Sequence, residues 1–145
     1  MRSSKHHIPG KHAGITLIEL MVVVAIMVIL TAIAYPLYTN QVIKARRTDG
    51  RAAVQAIALA QERYYTVNGS YTGTLSQLDL NSNLTDGDSE EGYYNIAVNV
   101  SGATFLISAT PAAGGPQVND SECTSMTLNQ LGITNGTGSD ATKCW

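Results

Sequence analysis

Residues 14–30 read Gly14-Ile15-Thr16-Leu17-Ile18-Glu19-Leu20-Met21-Val22-Val23-Val24-Ala25-Ile26-Met27-Val28-Ile29-Leu30. From Ile15 to Ile43 the one charged side chain is Glu19. Leu20–Ile43 is 24 residues without a charge. As a helix that run extends about 36 Å, enough to cross a hydrocarbon core of about 30 Å. Its centre is apolar on every face, which excludes an amphipathic surface helix. Pro36 is expected to kink this helix rather than end it, because apolar and helix-compatible residues continue beyond it.

Outward from this run the chain changes character on both sides. Residues 1–14 carry Arg2, Lys5 and Lys11 with no acid, and all three histidines (His6, His7, His12). Beyond Lys44 the pattern is a mixed helix. Ala45, Ala52, Ala56, Leu59 and Ala60, flanked by Ile57 and Tyr64, recur at helical spacing and predict an Ala-rich face suited to packing on a sheet. Lys44, Arg46, Arg47 and Arg51 supply a basic cluster expected next to the membrane, touching headgroups. Asn68-Gly69 is a stop signal. The expectation is one helix from Ile15 to Thr66, roughly 75 Å long at its standard rise.

The remainder reads as strands and turns. Tyr94, Ile96, Val98 and Val100 alternate with Tyr93, Asn95, Ala97 and Asn99. Ser101-Gly102 predicts a turn, Thr104–Thr110 a second strand, Thr124–Leu128 a third and Ile133-Thr134 a short fourth. Short connections imply an antiparallel meander. The Gly/Ser/Thr-rich tail Asn135–Ala141 is expected to be loose but for the tether at Cys144. The fold class is therefore α+β, a long N-terminal helix with a small antiparallel sheet on its distal half. Its segments are a leader (1–14), a membrane or core half of the helix (15–43), a head-packing half (44–66) and a β head (67–145).

Cys123 and Cys144 form an even pair in a chain with an export segment, which reads as one disulfide; two buried free thiols are the alternative. Such a bond contributes about 3 kcal/mol on the loop-entropy model. It also orients the chain, since the cysteines belong on the oxidising side and the basic leader on the cytoplasmic one. Residues 66–145 hold eight acids against Lys143 alone, a net charge of about −7. A head so acidic repels polyphosphate, so nucleic acid is not expected as a partner. Asp86-Gly87-Asp88-Ser89-Glu90-Glu91 could offer oxygens to calcium, but the spacing lacks a full binding-loop pattern and no metal is assigned.

Two residues in the decisive stretch call for a reason. Gly14 has no side chain, so extended backbone there can enter a protease site at the membrane face. Glu19 places a carboxylate in hydrocarbon, which costs on the order of 2.5–3.5 kcal/mol by insertion scales. A cut between Gly14 and Ile15 would create a positive amine one helical turn away, on the same or a neighbouring subunit, able to pair with it.

Lys11-His-Ala-Gly14 followed by Ile15-Thr-Leu-Ile-Glu19-Leu resembles the processing site of the type IV pilin family, with Ile15 in place of the usual Phe. Pro36, Tyr38, the block Gln41–Gly50, Gln61–Tyr65 with Asn68–Tyr71, and Cys144-Trp145 look most like PilE-type minor pilins. The resemblance implies cleavage after Gly14 by a prepilin peptidase, N-methylation of Ile15, registration of subunits through Glu19 and a helix kink at Pro36. It further implies a structural filament subunit with no cofactor and no enzymatic activity. Its partners would be other pilin subunits, the peptidase, an inner-membrane assembly platform and the membrane itself. Location would be the inner membrane first, then the pilus, serving pilus biogenesis, twitching motility or adhesion. Alternatives are a major pilin, a type II secretion pseudopilin, or a secreted protein cut after Ala34. A mature chain without histidine, with bonded cysteines and no Ser beside a visible base, offers an enzyme little.

Overall fold

The computed structural model describes residues 14–145. The basic leader residues Arg2, Lys5 and Lys11 and the three histidines lie outside the described residues. Two units are distinguished, dividing after Tyr38.

A lead of three residues, Gly14 to Thr16, brings the described chain to α1, which spans Leu17–Asn68, its turns to Tyr38 belonging to the first unit. The helix runs through Pro36 and through the Ala34-Tyr35 junction without a break. Every large apolar side chain from Ile15 to Tyr38 is more than half exposed. By length and composition this helix can cross a membrane.

The second unit, Thr39–Trp145, joins the later turns of α1 to a four-stranded sheet. The strands are β1 (Tyr94–Ser101), β2 (Thr104–Pro111), β3 (Ser125–Asn129) and β4 (Thr134–Thr137). They pair antiparallel in the order β1-β2-β3-β4. The β1–β2 register runs from Tyr94 opposite Pro111 to Ser101 opposite Thr104. Gly102, with φ at 58°, makes the tight turn between them. The period-two reading of β1 matches its burial: Tyr94 and Ile96 face the core while Asn95, Ala97 and Asn99 face out. A short helix, α2 (Ser82–Asp86), lies in the long α1–β1 connection, its first turn capped by Asn81 accepting from the Leu84 N–H. Three single 3₁₀ turns, at Leu75–Gln77, Pro116–Asn119 and Ala141–Cys144, complete the unit.

Two sequence expectations need correction. The Ala-rich face packs only in part: Ala60 and the flanking Ile57 are buried, whereas Ala45, Ala52, Ala56 and Leu59 are exposed. The buried face is Arg47, Gly50, Ala53, Val54, Ile57, Ala60 and Gln61. Gly50 shows why. A β-carbon there would stand 2.5 Å from Met126 Cε and 3.0 Å from the Tyr94 ring, so this is where backbone and sheet approach most closely. The second correction concerns Asn135–Thr137, which is strand rather than loose tail, with Thr127 opposite Asn135 and Ser125 opposite Thr137. Its glycine is structural, since a β-carbon on Gly136 would lie 2.6 Å from Cys144 Sγ.

Candidate functional site

The sequence points first to the start of α1. Gly14 and Ile15 lie exposed just ahead of it. Nothing stands within 4 Å of a β-carbon built on Gly14, so packing within the described chain does not require glycine there. Thr16 is the residue before the helix, and its Oγ1 accepts the Glu19 backbone N–H at 3.2 Å. Thr16-Leu-Ile-Glu19 thus has the spacing of a capping box, with Glu19 in the first turn where the helix dipole favours negative charge. The sequence reading gave Glu19 one physical reason; the cap is a second, and the Thr-x-x-Glu spacing was its signal.

The other concentration of polar chemistry is where α1 meets the loop closed by Cys123 and Cys144. Those residues are joined by a disulfide, with Cα atoms 5.3 Å apart and both side chains buried. Arg47, only 2 % exposed, donates from Nε to Asp120 Oδ2 and from Nη2 to Asp120 Oδ1, both at 2.6 Å. Its Nη2 also reaches Glu122 Oε2 at 2.9 Å, and Nη1 donates to the Lys143 carbonyl at 3.2 Å. The Asp120 hydrogen bond is the main cause holding the Arg47 pKa above its ordinary value. Lys143 Nζ closes the cluster on Glu122 Oε1 at 2.5 Å and Asp140 Oδ2 at 3.1 Å. Arg51 donates from Nε to the Cys144 carbonyl at 2.6 Å and from Nη2 to that of Lys143 at 3.0 Å.

The basic cluster read as a headgroup-touching patch is therefore divided. Arg47 is held by Asp120 and Glu122 just before Cys123 and by the Lys143 carbonyl, Arg51 by the Lys143 and Cys144 carbonyls, and Arg46 lies 4.9 Å from the centroid of the Tyr93 ring. A paired, buried Arg is favoured over a solvated one here because Asp120 presents both carboxylate oxygens to its planar fork.

Other polar residues hold the head from within. Gln61 is fully buried, its Nε2 donating to the Thr72 carbonyl at 2.5 Å and its Oε1 accepting the Thr72 N–H at 3.1 Å. That amide pairing explains the Gln61…Tyr71 block: it folds the connection back onto α1, where Tyr71 stacks edge-on against Phe105 at 4.8 Å. Asp49 accepts from Ser89 Oγ at 2.5 Å and from the Glu91 N–H at 3.1 Å, fixing the acidic loop. Within that loop Asp88 accepts from Asn95 at 2.7 Å, and Glu90 accepts from Asn81. These carboxylates are each engaged with local amides.

Comparison with known proteins gives consistent matches. Residues 36–127 match the family model described as type IV minor pilin ComP, DNA uptake sequence receptor. Residues 10–35 match that of the prokaryotic N-terminal methylation motif. A curated relative, prepilin peptidase-dependent protein D of Escherichia coli (strain K12), is 43% identical over 70 residues, covering 43% of this chain and 48% of that protein. The chain thus spans about half the length of that relative. Among solved structures, the non-core minor pilin PilV of Neisseria meningitidis aligns with a TM-score of 0.50 at 26% identity, over 69% of this chain and 91% of that one. A type IV pilin from Shewanella oneidensis aligns at 25% identity with a TM-score of 0.48, over 71% of this chain and 97% of that one.

Proposed function

Since this chain belongs to the type IV minor pilin family, we propose that it is cut between Gly14 and Ile15, methylated on Ile15 and assembled into a pilus through the apolar half of α1. The observation that carries this is Glu19, a single charge in an otherwise uncharged run, one turn from the amine that the cut would free. Gly14 supports it, because no neighbour in the described chain needs a glycine there and the demand falls on an outside protease. Before assembly the helix would hold the chain in the inner membrane, leader inside and disulfide-bonded head outside. Extraction by an assembly platform would then bundle the helices, with Pro36 as the place where the helix yields. The role is mechanical, and no catalytic activity is assigned. Mass measurement of the mature N-terminus tests the reading. A start at Ile15 is expected, with Gly14→Val accumulating as uncut precursor; a start at Tyr35, or retention of the first fourteen residues, would end it.

The family's description includes reception of a DNA uptake sequence, and for this head we read no such activity. Its eight acids face one lysine, and Lys143 is already paired with Glu122 and Asp140. Residues 66–145 thus offer no unpaired cation to displace counterions from phosphate, so binding of duplex DNA through this part of the head loses its main driving term. A low-salt gel-shift titration with duplex DNA should give no complex, and a shift at micromolar protein would overturn this.

A further inference from the structure

The cavity between α1 and the segment just before Cys123 is lined by Asn40, Ile43, Lys44, Arg47 and residues 119–122, and has a volume of about 210 Å³. It belongs wholly to the Thr39–Trp145 unit. Its hydrogen-bonding capacity is unevenly spent. Asp120 Oδ2 is held by Arg47, and Oδ1 by Arg47 and the Cys123 N–H. Glu122 Oε2 is held by Arg47 and Oε1 by Lys143. All four carboxylate oxygens in the cavity thus already face donors. Lys44 makes no ion pair among the described residues, and the side chains of Asn40, Asn119 and Ser121 make no hydrogen bond among them. What the cavity leaves available is one ammonium and three neutral donor groups.

We propose that this cavity is a phosphodiester site that receives the headgroup of a membrane phospholipid while the subunit waits in the bilayer. Lys44 supplies the charge, and Asn40, Asn119 and Ser121 orient the non-bridging phosphate oxygens. Position in the chain favours a lipid as the source. Lys44 is the first charged residue after the uncharged run Leu20–Ile43, so a helix spanning the hydrocarbon delivers it to the headgroup layer. The site lets the head itself, through Asn119 and Ser121, set how deep it rests against the membrane. This inference depends on the membrane-anchored reading above.

The test measures acylation of lysines by mass spectrometry on the full chain under three conditions. These are maltoside micelles, which contain no phosphate, the same micelles with inorganic phosphate, and nanodiscs of phosphatidylglycerol. Lys44 should react about fivefold more slowly in the nanodiscs than in the micelles, the worth of one lysine at an anionic lipid surface. Lys143, already paired, should change little. Asn119→Ala with Ser121→Ala should restore Lys44 reactivity in the nanodiscs without moving the thermal midpoint, because neither side chain has a hydrogen-bond partner among the described residues. Protection by inorganic phosphate in micelles as well would assign the site to free phosphate and overturn the lipid as its source. Unchanged Lys44 reactivity across conditions, or protection that survives the double substitution as plain burial in the bilayer would, overturns the site. Flotation of the chain with liposomes reports membrane anchorage separately, so failure of the cavity and failure of the anchor are distinguishable.

Discussion

Asp120→Ala should destabilise the head by about 3 kcal/mol, because it strips the bidentate partner from a guanidinium that is 2 % exposed. The figure sits at the lower end for a broken buried pair, since Glu122 Oε2 and the Lys143 carbonyl remain within reach of Arg47. Urea unfolding of the full chain in micelles measures it. Trp145 is the sole tryptophan, and its Nε1 donates to the Asn135 carbonyl at 2.8 Å, so its fluorescence reports on the disulfide loop. Arg47→Met combined with Asp120→Ala should recover part of the loss, because no buried cation is then left without its partner. A single-variant loss below about 1 kcal/mol, the value of a surface pair, would mean the seam is open to water.

The same cluster gives the head a defined acid limit. Hydrogen bonds from Lys143 and then Arg47 hold the Glu122 carboxyl below its ordinary pKa. The Thr142 hydroxyl and then Lys143 do the same for Asp140. A carboxyl depressed in the folded state stabilises fully above the ordinary carboxylate range, and that contribution disappears as pH falls through the folded value. The wild-type head should therefore lose stability below the usual carboxylate pKa, and Glu122→Gln should flatten that acid limb of the unfolding curve.

Glu19→Ala should leave cleavage intact and remove the subunit from sheared filaments. The cap at Thr16 makes this experiment need a companion. Glutamine at position 19 keeps the Thr-x-x-Gln capping box and discards the charge. If Glu19 serves by pairing with the amine on Ile15, Glu19→Gln fails to incorporate as fully as Glu19→Ala. If it serves only by starting the helix, Glu19→Gln assembles normally and the pairing mechanism is wrong. Immunoblots of purified pili against whole-cell lysate, with the mature N-terminus confirmed by mass, separate the two.

What could be read from the chain, and what could not, follows from how far each signal reaches. The apolar run and the alternation of β1 are local patterns, so α1 and the leading hairpin fall within a few residues of expectation. Distant partners decided the rest. Arg47 and Asp120 are 73 positions apart, and a charged residue without a visible partner defaults to solvent. Gln61 is buried because the Thr72 backbone satisfies both ends of its amide. Counting apolar residues centred the packing face on the alanines; Gly50 and those two polar residues turn it, so that of the expected set Ile57 and Ala60 are buried while Ala45, Ala52, Ala56 and Leu59 are not. Strand β4 was half hidden because Gly136 reads as loop, although its missing side chain is what admits the disulfide.

The contacts of Arg47 and Arg51 on α1 with Asp120 and the C-terminal end of the disulfide loop join residues 73 to 96 positions apart. Closing so long a span costs chain entropy before any contact rewards it, so these bonds come late in folding. The greasy segment needs no such partner to find its lipid environment. On the proposed reading the polypeptide would be moored first and finished afterwards, so that a subunit whose guanidinium latch has not yet shut would already sit where an assembly machine could collect it.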